Sequence, residues 1–166
     1  HEQTMVPIVQ GSFYEDLRKR EAERYAALDH PIYAIGGLAV GEETGKTRDA
    51  IDWVTSVLPE DRPRYAMGVG TPSDLLDAIA RGVDMFDCVI PTRNGRRASL
   101  FTFSGKMNLR NAKWINDNRP VEADCPCPLC TQYSRAYLRH LFASGELLAM
   151  KLASAHNLTF FYRLMA

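Results

Sequence analysis

The sequence predicts an α/β fold of four βα units followed by a smaller metal-binding region. Between residues 6 and 90, short apolar runs alternate with Gly-containing polar corners and amphipathic helical stretches. Short apolar strands separated by helices are typical of a parallel sheet covered on its faces. After Pro91 this alternation stops and a cysteine-rich segment follows. We therefore expect two regions, residues 1–92 with the βα units and residues 93–166 with a hairpin, the metal site and the C-terminal helices.

The first region reads as four strands, VPIV, IYAI, RYAM and DMFDCVI. Three of them lead to the predicted helices FYEDLRKREAERYAAL, KTRDAIDWVTSVL and LLDAIARG, and the fourth leads to the arginine loop PTRNGRR. Ser12 with Glu15 is typical of a capping box, and Thr71, Pro72 and Asp74 supply a cap, a first-turn proline and a first-turn acid. Polar residues of interest follow the strands, where parallel α/β folds build their sites.

The second region begins with a predicted β-hairpin. ASLFTF and KMNLRN form its strands and SG its turn. An irregular stretch containing CPCPLC follows, and the apolar periodicity then predicts helices over residues 133–143 and 146–165.

Composition indicates an ordinary soluble polypeptide. Its 166 residues are 46% apolar and 24% charged, which excludes disordered and fibrous classes. No apolar run approaches the roughly 20 residues of a membrane span, and the first residues lack the layout of a signal peptide. We therefore expect a cytoplasmic protein with no membrane partner, in which thiols stay reduced and are available to bind metal.

Charge is distributed unevenly along the chain. The net charge of zero argues against indiscriminate coating of nucleic acid. Residues 93–119 nevertheless carry seven basic side chains against the single acid Asp117. Such a segment can hold phosphates, or it can be a solvated face balanced by acids folded nearby.

The segment CPCPLC predicts a metal site. Cysteines one residue apart close too small a ring for a comfortable disulfide, and a structural zinc ion takes four Cys or His ligands. Cys88 lies in an apolar strand, which leaves His140 and His156 as candidates for the fourth ligand.

The helix predicted over residues 133–143 decides between these histidines. Tyr137, Leu138, Leu141 and Phe142 define its buried stripe and His140 falls on the opposite side, which favours His156. Surface thiols without metal, or an iron-sulfur site short of a ligand, are the alternatives.

One carboxylate stands out in the fourth strand. The period of two puts Met85, Asp87 and Val89 on one face and the apolar Phe86, Cys88 and Ile90 on the other. Asp87 therefore points away from the helices, near the end of the strand, where burying a carboxylate is costly without a partner or a purpose. The alternative is a salt bridge to Arg93 or Arg96.

These segments together resemble the tRNA-guanine transglycosylases. IVQGS, GGLAVGE, YAMGVGTPSDLLDAIARGVDMFDCVIPTRNGRR, and CxCxxC with a histidine 31 positions after its first cysteine occur in that family's order and cover nearly the whole chain. The resemblance implies exchange of guanine at the anticodon wobble position of a tRNA with a GUN-type anticodon. The GGLAVGE form resembles the bacterial type, which implies preQ1, a 7-deazaguanine precursor of queuosine, as the incoming base.

The resemblance also implies roles for individual residues. Asp87 takes the position of the nucleophile that forms a covalent ester with the ribose. One structural zinc ion per chain is bound by Cys125, Cys127, Cys130 and His156. The base-binding positions are Gln10, Gly37, Leu38, Tyr65 and Met67. The RNA-binding positions are Gly68, Val69, Gly70, Thr71, Pro72, Ser73, Asp74, Thr92, Arg93, Asn94, Gly95 and Arg96.

The family fold is a (β/α)8 TIM barrel with an inserted zinc-binding subdomain, and such barrels need about 250 residues. Four βα units correspond to its second half. The first half, which carries the family's general acid/base aspartate, is outside this sequence. We therefore expect a fragment that is inactive by itself and a homodimer in the complete enzyme.

Two other functions fit parts of the sequence. One is a noncatalytic, zinc-containing tRNA-binding or partner subunit, which would have little use for Asp87. The other is a small-molecule (β/α) enzyme, which would leave the arginines and the metal without a role.

Overall fold

The computed structural model describes residues 3–166, which form two compact units, one ending at Cys88 and the other beginning at Val89. Both are mixtures of helices and strands. No helix within the described range combines the length and the apolar character that a membrane span needs.

The first unit is a parallel α/β structure. Its elements, in chain order, are β1 (Ile8–Val9), α1 (Glu15–Ala26), β2 (Tyr33–Ile35), α2 (Thr44–Thr55), β3 (Arg64–Met67), α3 (Pro72–Ala80) and β4 (Met85–Asp87). The four strands pair in sequence order, all parallel. The predicted parallel sheet and its helices are confirmed, and this architecture is compatible with part of a TIM barrel.

Burial differs between the strands. All three residues of β2 are buried, as expected for a central strand covered on both faces. In β4, Met85 and Asp87 are exposed and Phe86 is half-buried. The period-two pattern therefore holds, but the strand ends at Asp87 and not at Ile90.

One of the two predicted helix starts is confirmed and the other is wrong. Thr71 caps α3 as predicted, since its hydroxyl accepts from the N–H of Asp74 and Pro72 follows it. The predicted capping box at Ser12 is wrong, because Tyr14 is the N-cap of α1. Ser12 has a φ of +52°, and its carbonyl accepts a 2.6 Å hydrogen bond from Nε of Arg18.

The second unit packs a hairpin and four helices around one core. Its elements are α4 (Ile90–Arg96), β5 (Ser99–Thr102), β6 (Gly105–Asn108), a 3₁₀ turn (Ala112–Trp114), α5 (Pro128–Gln132), α6 (Arg135–Ala143) and α7 (Leu147–Met165). β5 and β6 are antiparallel, with Phe103 and Ser104 in the turn. The hairpin is confirmed, with its turn one residue earlier than predicted.

Two predictions for this unit are wrong. The arginine segment after β4 is helical and not a loop, since α4 starts at Ile90 and its Pro91 lies in the first turn, where proline is tolerated. Tyr137 was expected in the buried stripe of α6 but is 40% exposed, while Leu138 and Leu141 are buried. His140 is exposed, as its place opposite that stripe predicted.

Candidate active site and metal centre

Asp87 lies at the carboxyl end of β4 next to two other predicted site residues. Tyr65 pairs with Met85 across the sheet, and Met67 pairs with Asp87. Side chains alternate along a strand, so Tyr65, Met67 and Asp87 lie on the same face of β3 and β4. The structure therefore brings the predicted nucleophile and two predicted base-binding residues together.

Two donors hold one oxygen of the Asp87 carboxylate. The hydroxyl of Tyr65 donates to Oδ1 at 2.7 Å, and the backbone N–H of Gly68 donates to the same atom at 3.1 Å. The hydrogen bond to Asp87, together with burial, raises the pKa of Tyr65. The tyrosine therefore stays a protonated donor, and the carboxylate is exposed and oriented.

Gln10 lies against two glycines that follow β2. A Cβ on Gly36 would lie 2.3 Å from Nε2 of Gln10, and one on Gly37 would lie 3.0 Å from Oε1. Gly37 also has a φ of +65°. Only glycine allows this close approach of backbone and amide. The side chain of Leu38, another predicted base-binding residue, is buried in the core.

Arg18, which the sequence did not single out, ties these loops together. It is fully buried, and its Nη1 and Nη2 donate to the carbonyls of Gly36 at 3.0 Å and Gly37 at 3.3 Å. Its Nε binds the carbonyl of Ser12, next to the Gln10 loop. Burial lowers the pKa of Arg18, which the charge of Glu42 partly offsets. One signal in the sequence could have pointed to this role: Arg18 lies one turn before Ala22, on the buried face of α1.

Glu42 organises the rest of the GGLAVGE loop. Its carboxylate accepts from the N–H groups of Ala39 at 2.6 Å and Val40 at 2.8 Å, and from the hydroxyl of Thr47 at 2.6 Å. Burial alone would raise the pKa of Glu42, but these hydrogen bonds outweigh it and lower the pKa. The loop is therefore held by a charged carboxylate.

Much of the segment predicted to bind RNA after β3 has structural roles. Val69 and Gly70 are buried, and a Cβ on Gly70 would lie 2.1 Å from Sγ of Cys88. Thr71 and Asp74 form the start of α3. Gly68 and Ser73 are the exposed members of this segment.

The other segment predicted to bind RNA forms α4. Arg93 and Arg96 are exposed and, three residues apart on a helix, point to the same side, while Gly95 is buried. Within residues 89–166 neither arginine makes an ion pair. Of the seven basic side chains in residues 93–119, Arg119 is the one that pairs with Asp117. The structure of this unit thus leaves Arg93 and Arg96 available to anions.

The three cysteines and His156 form a compact, buried cluster. Cys127 caps α5, Cys130 lies in it, and His156 comes from α7. Their ligand atoms lie within 4.8 Å of one another, with Nδ1 of His156 at 3.7, 3.5 and 3.3 Å from the sulfurs of Cys125, Cys127 and Cys130. Around a tetrahedral zinc ion, sulfur and nitrogen ligands are about 3.5 Å apart. The distances from Nδ1 to the three sulfurs therefore fit a zinc ion.

The chemistry of the cluster also favours a cation. A hydrogen bond between the two sulfurs lowers the pKa of Cys127 and raises that of Cys130, so a thiolate on Cys127 conflicts with a second thiolate on Cys130. A divalent cation removes this conflict. Nε2 of His156 donates to the carbonyl of Phe101 at 2.8 Å, which fixes the ring with Nδ1 toward the sulfurs.

Comparison with known proteins agrees with this geometry. The sequence model of the family described as queuine tRNA-ribosyltransferase matches residues 1–166. This chain belongs to the queuine tRNA-ribosyltransferase family. It is 52% identical over 163 residues to the queuine tRNA-ribosyltransferase of Thermoanaerobacter pseudethanolicus, which covers 98% of this chain and 44% of that protein.

A second relative gives the same result. The queuine tRNA-ribosyltransferase of Rickettsia bellii is 53% identical over 159 residues, which is 96% of this chain and 44% of the relative. The chain thus spans less than half the length of these relatives. The resemblance found in the sequence is confirmed, as is the cofactor: Cys125, Cys127, Cys130 and His156 provide the site for one structural zinc ion.

Proposed function

We propose that this chain acts with the part of the family's length that it does not span, and exchanges guanine at the wobble position of a tRNA anticodon for preQ1. The observation that carries the proposal is the exposed carboxylate of Asp87, held through Oδ1 beside Tyr65 and Met67. A carboxylate fixed through one oxygen keeps its second oxygen for a bond to carbon.

In the proposed first step, Oδ2 of Asp87 attacks C1′ of the wobble nucleotide. The new C–O bond forms as the glycosidic C–N bond breaks, and guanine leaves with the electron pair and takes up a proton. In the second step, a ring nitrogen of the incoming base attacks C1′, loses its proton, and the ester oxygen returns to Asp87 as carboxylate. The general acid/base belongs to the part of the family outside this chain. The target base must first leave its stack to reach such a pocket.

The remaining residues support binding in this proposal. The amide of Gln10 and the backbone at Gly37 and Leu38 read the edge of the base, while Tyr65 and Met67 form the pocket wall. Arg93 and Arg96, which are exposed on α4, bind phosphates on either side of the flipped nucleotide. Zinc has no role in the chemical steps and stabilises the second unit.

We further infer the complete architecture from the family. The parallel sheet forms the second half of a (β/α)8 barrel, residues 93–166 contain the zinc-binding subdomain inserted near its end, and the complete protein is a cytoplasmic homodimer. The open edges of a half sheet are consistent with a fragment that needs its other half.

The test is base exchange by the protein that contains this chain, purified at its natural length. Labelled guanine should enter a tRNA with a GUN anticodon and should not enter the same tRNA with adenine at the wobble position. Unlabelled preQ1 should then displace the label. Equal labelling of both tRNAs, or of neither, would refute the proposal. The 166-residue chain alone should be inactive, since it lacks the general acid/base.

A further inference from the structure

Helix α4, which carries Arg93 and Arg96, is attached closely to α7. The two backbones meet at Gly95, where a Cβ would lie 2.7 Å from the nitrogen and 2.8 Å from Cα of Ser154. The hydroxyl of Ser154 also donates to the carbonyl of Thr92 at 3.4 Å. Since a side chain at position 95 would separate the helices, the glycine is required for this contact.

Asn157, near the middle of α7, makes three hydrogen bonds that attach this helix to its neighbours. It is fully buried. Its Nδ2 donates to the carbonyls of Pro91 at 2.8 Å and Ser99 at 3.0 Å, and its Oδ1 accepts from the N–H of Phe101 at 3.0 Å. Both amide hydrogens and the oxygen are used, and reversing the amide would place its oxygen against two carbonyls. The side chain thus has one satisfactory orientation.

The neighbouring residue on α7 is the zinc ligand His156. Phe101 is bound from both sides by this pair, since its carbonyl accepts from His156 and its N–H donates to Asn157. Consecutive residues of a helix point about 100° apart. One turn of α7 can therefore hold the cysteine ligands through zinc with His156 and hold α4 with Asn157.

We propose that Asn157 is a positioning residue that fixes helix α4, and with it Arg93 and Arg96, to the zinc-bearing helix. Zinc holds His156 in place. The neighbouring Asn157 then fixes the first turn of α4 through its hydrogen bond to the carbonyl of Pro91. The effect on α4 is a property of this unit alone, whereas the consequence for RNA affinity rests on the proposed function.

Two substitutions act on this attachment from opposite sides. Asn157→Asp keeps the shape of the side chain but removes both donors and puts a carboxylate against two carbonyls. Gly95→Ala replaces no residue of α7 or of the metal site and raises the intrinsic helix propensity of α4. Faster opening of α4 in this second variant can therefore come only from loss of contact with α7. Thr159→Ala is the control, since the Thr159 hydroxyl donates within α7, to the carbonyl of Ala155.

The experiment compares hydrogen exchange, zinc content and tRNA affinity in the zinc-loaded protein that contains this chain at its natural length. In Asn157→Asp and Gly95→Ala we expect amide exchange over residues 90–97 to become about tenfold faster or more, with zinc near one per chain. The dissociation constant for a GUN-anticodon tRNA should rise about tenfold in both variants and stay unchanged in Thr159→Ala.

The outcomes separate the two levels of the proposal. Unchanged exchange over residues 90–97 in Asn157→Asp overturns the positioning role of Asn157. If that variant fails to fold, unchanged exchange in Gly95→Ala overturns the role, because it would show that attachment to α7 does not hold α4 closed. Faster exchange with unchanged tRNA affinity overturns the link to RNA. If the unsubstituted protein does not bind tRNA, the proposed function fails, and the exchange data still decide whether Asn157 positions α4.

Discussion

The hydroxyl of Tyr65 donates a 2.7 Å hydrogen bond to Oδ1 of Asp87, across neighbouring strands and 22 residues apart in sequence. Gly68 binds the same oxygen, so the carboxylate is anchored on one side. This asymmetry orients the group for attack through its other oxygen and makes Tyr65 a participant in the proposed chemistry.

Replacing Tyr65 by Phe should slow covalent attachment to RNA about tenfold, the effect of losing one hydrogen bond to a charged group worth about 1.5 kcal/mol. The raised pKa of Tyr65 means that the hydroxyl is protonated at all pH values below its ordinary pKa of about 10, and the hydrogen bond is lost only as the pH rises through the higher folded-state value. The ratio of the attachment rate of the unsubstituted protein to that of Tyr65→Phe should thus be constant from about pH 6 to 9.5.

The control for this variant is Tyr25→Phe, which removes another tyrosine hydroxyl bonded to a carboxylate, that of Glu21. It should leave the rate unchanged. A ratio near one between wild type and Tyr65→Phe would show that Gly68 alone suffices to orient Asp87.

Asp87→Asn should abolish the covalent RNA adduct on a denaturing gel while the zinc content stays near one per chain. An amide is not a nucleophile toward C1′, but it keeps the size of the side chain. The matched control is Asp84→Asn, three residues earlier, whose carboxylate accepts from the N–H of Arg64 at the start of β3. Adduct formation by Asp87→Asn would favour a noncatalytic role for this residue, and loss of zinc would mean that the two sites are not independent.

Cys127→Ser should strip the metal and destabilise the second unit. The three cysteines are buried in the same core as Leu129 and Leu138, and His156 is fully buried, so without zinc four polar side chains, the new serine included, remain there with imperfect partners. Zinc analysis measures the loss of metal, and thermal unfolding measures the loss of stability. We expect the free energy of unfolding of the second unit to fall by several kcal/mol. Cys88→Ser, in the first unit, should retain zinc. A Cys127→Ser protein that keeps both zinc and its melting temperature would contradict the structural role.

Arg18→Lys should weaken binding of the base more than binding of tRNA. A lysine has the charge but cannot reach three carbonyls at once, so the Gly36 and Gly37 peptides lose their anchor. We expect the KM for guanine to rise about tenfold, while kcat at saturating guanine changes little. Arg24→Lys, on the exposed side of α1, should change neither value. An unchanged KM for guanine in Arg18→Lys would rule out a positioning role for Arg18.

Local pattern was sufficient for part of the site. The spacing of Cys125, Cys127 and Cys130 requires only that a short loop fold back on itself, and the period of two along β4 put Asp87 on the face opposite Phe86. The choice of His156 over His140 followed from the helical period alone. The cysteine spacing, the strand period and the helical period each involve residues close in sequence, where geometry is nearly fixed.

Local pattern failed where distant contacts compete. Ser12 fits a capping box, but its backbone is used to bind Arg18, and the helix starts two residues later. The PTRNGRR segment has the composition of a loop, with Gly95 as a weak helix former. It becomes helical because that glycine lets it lie directly on the backbone of α7.

The sequence by itself determined the parallel βα order, the zinc ligands and the nucleophile candidate, because strand period, helix period and ligand spacing are properties of short segments. Only the tertiary structure decided that Arg18 holds Gly36 and Gly37, and that Asn157 holds Pro91 from 66 residues away. The physical reason is that a buried donor must be paired with an acceptor, and the fold can bring that acceptor from a distant part of the sequence. Local sequence patterns carry no information about such pairs.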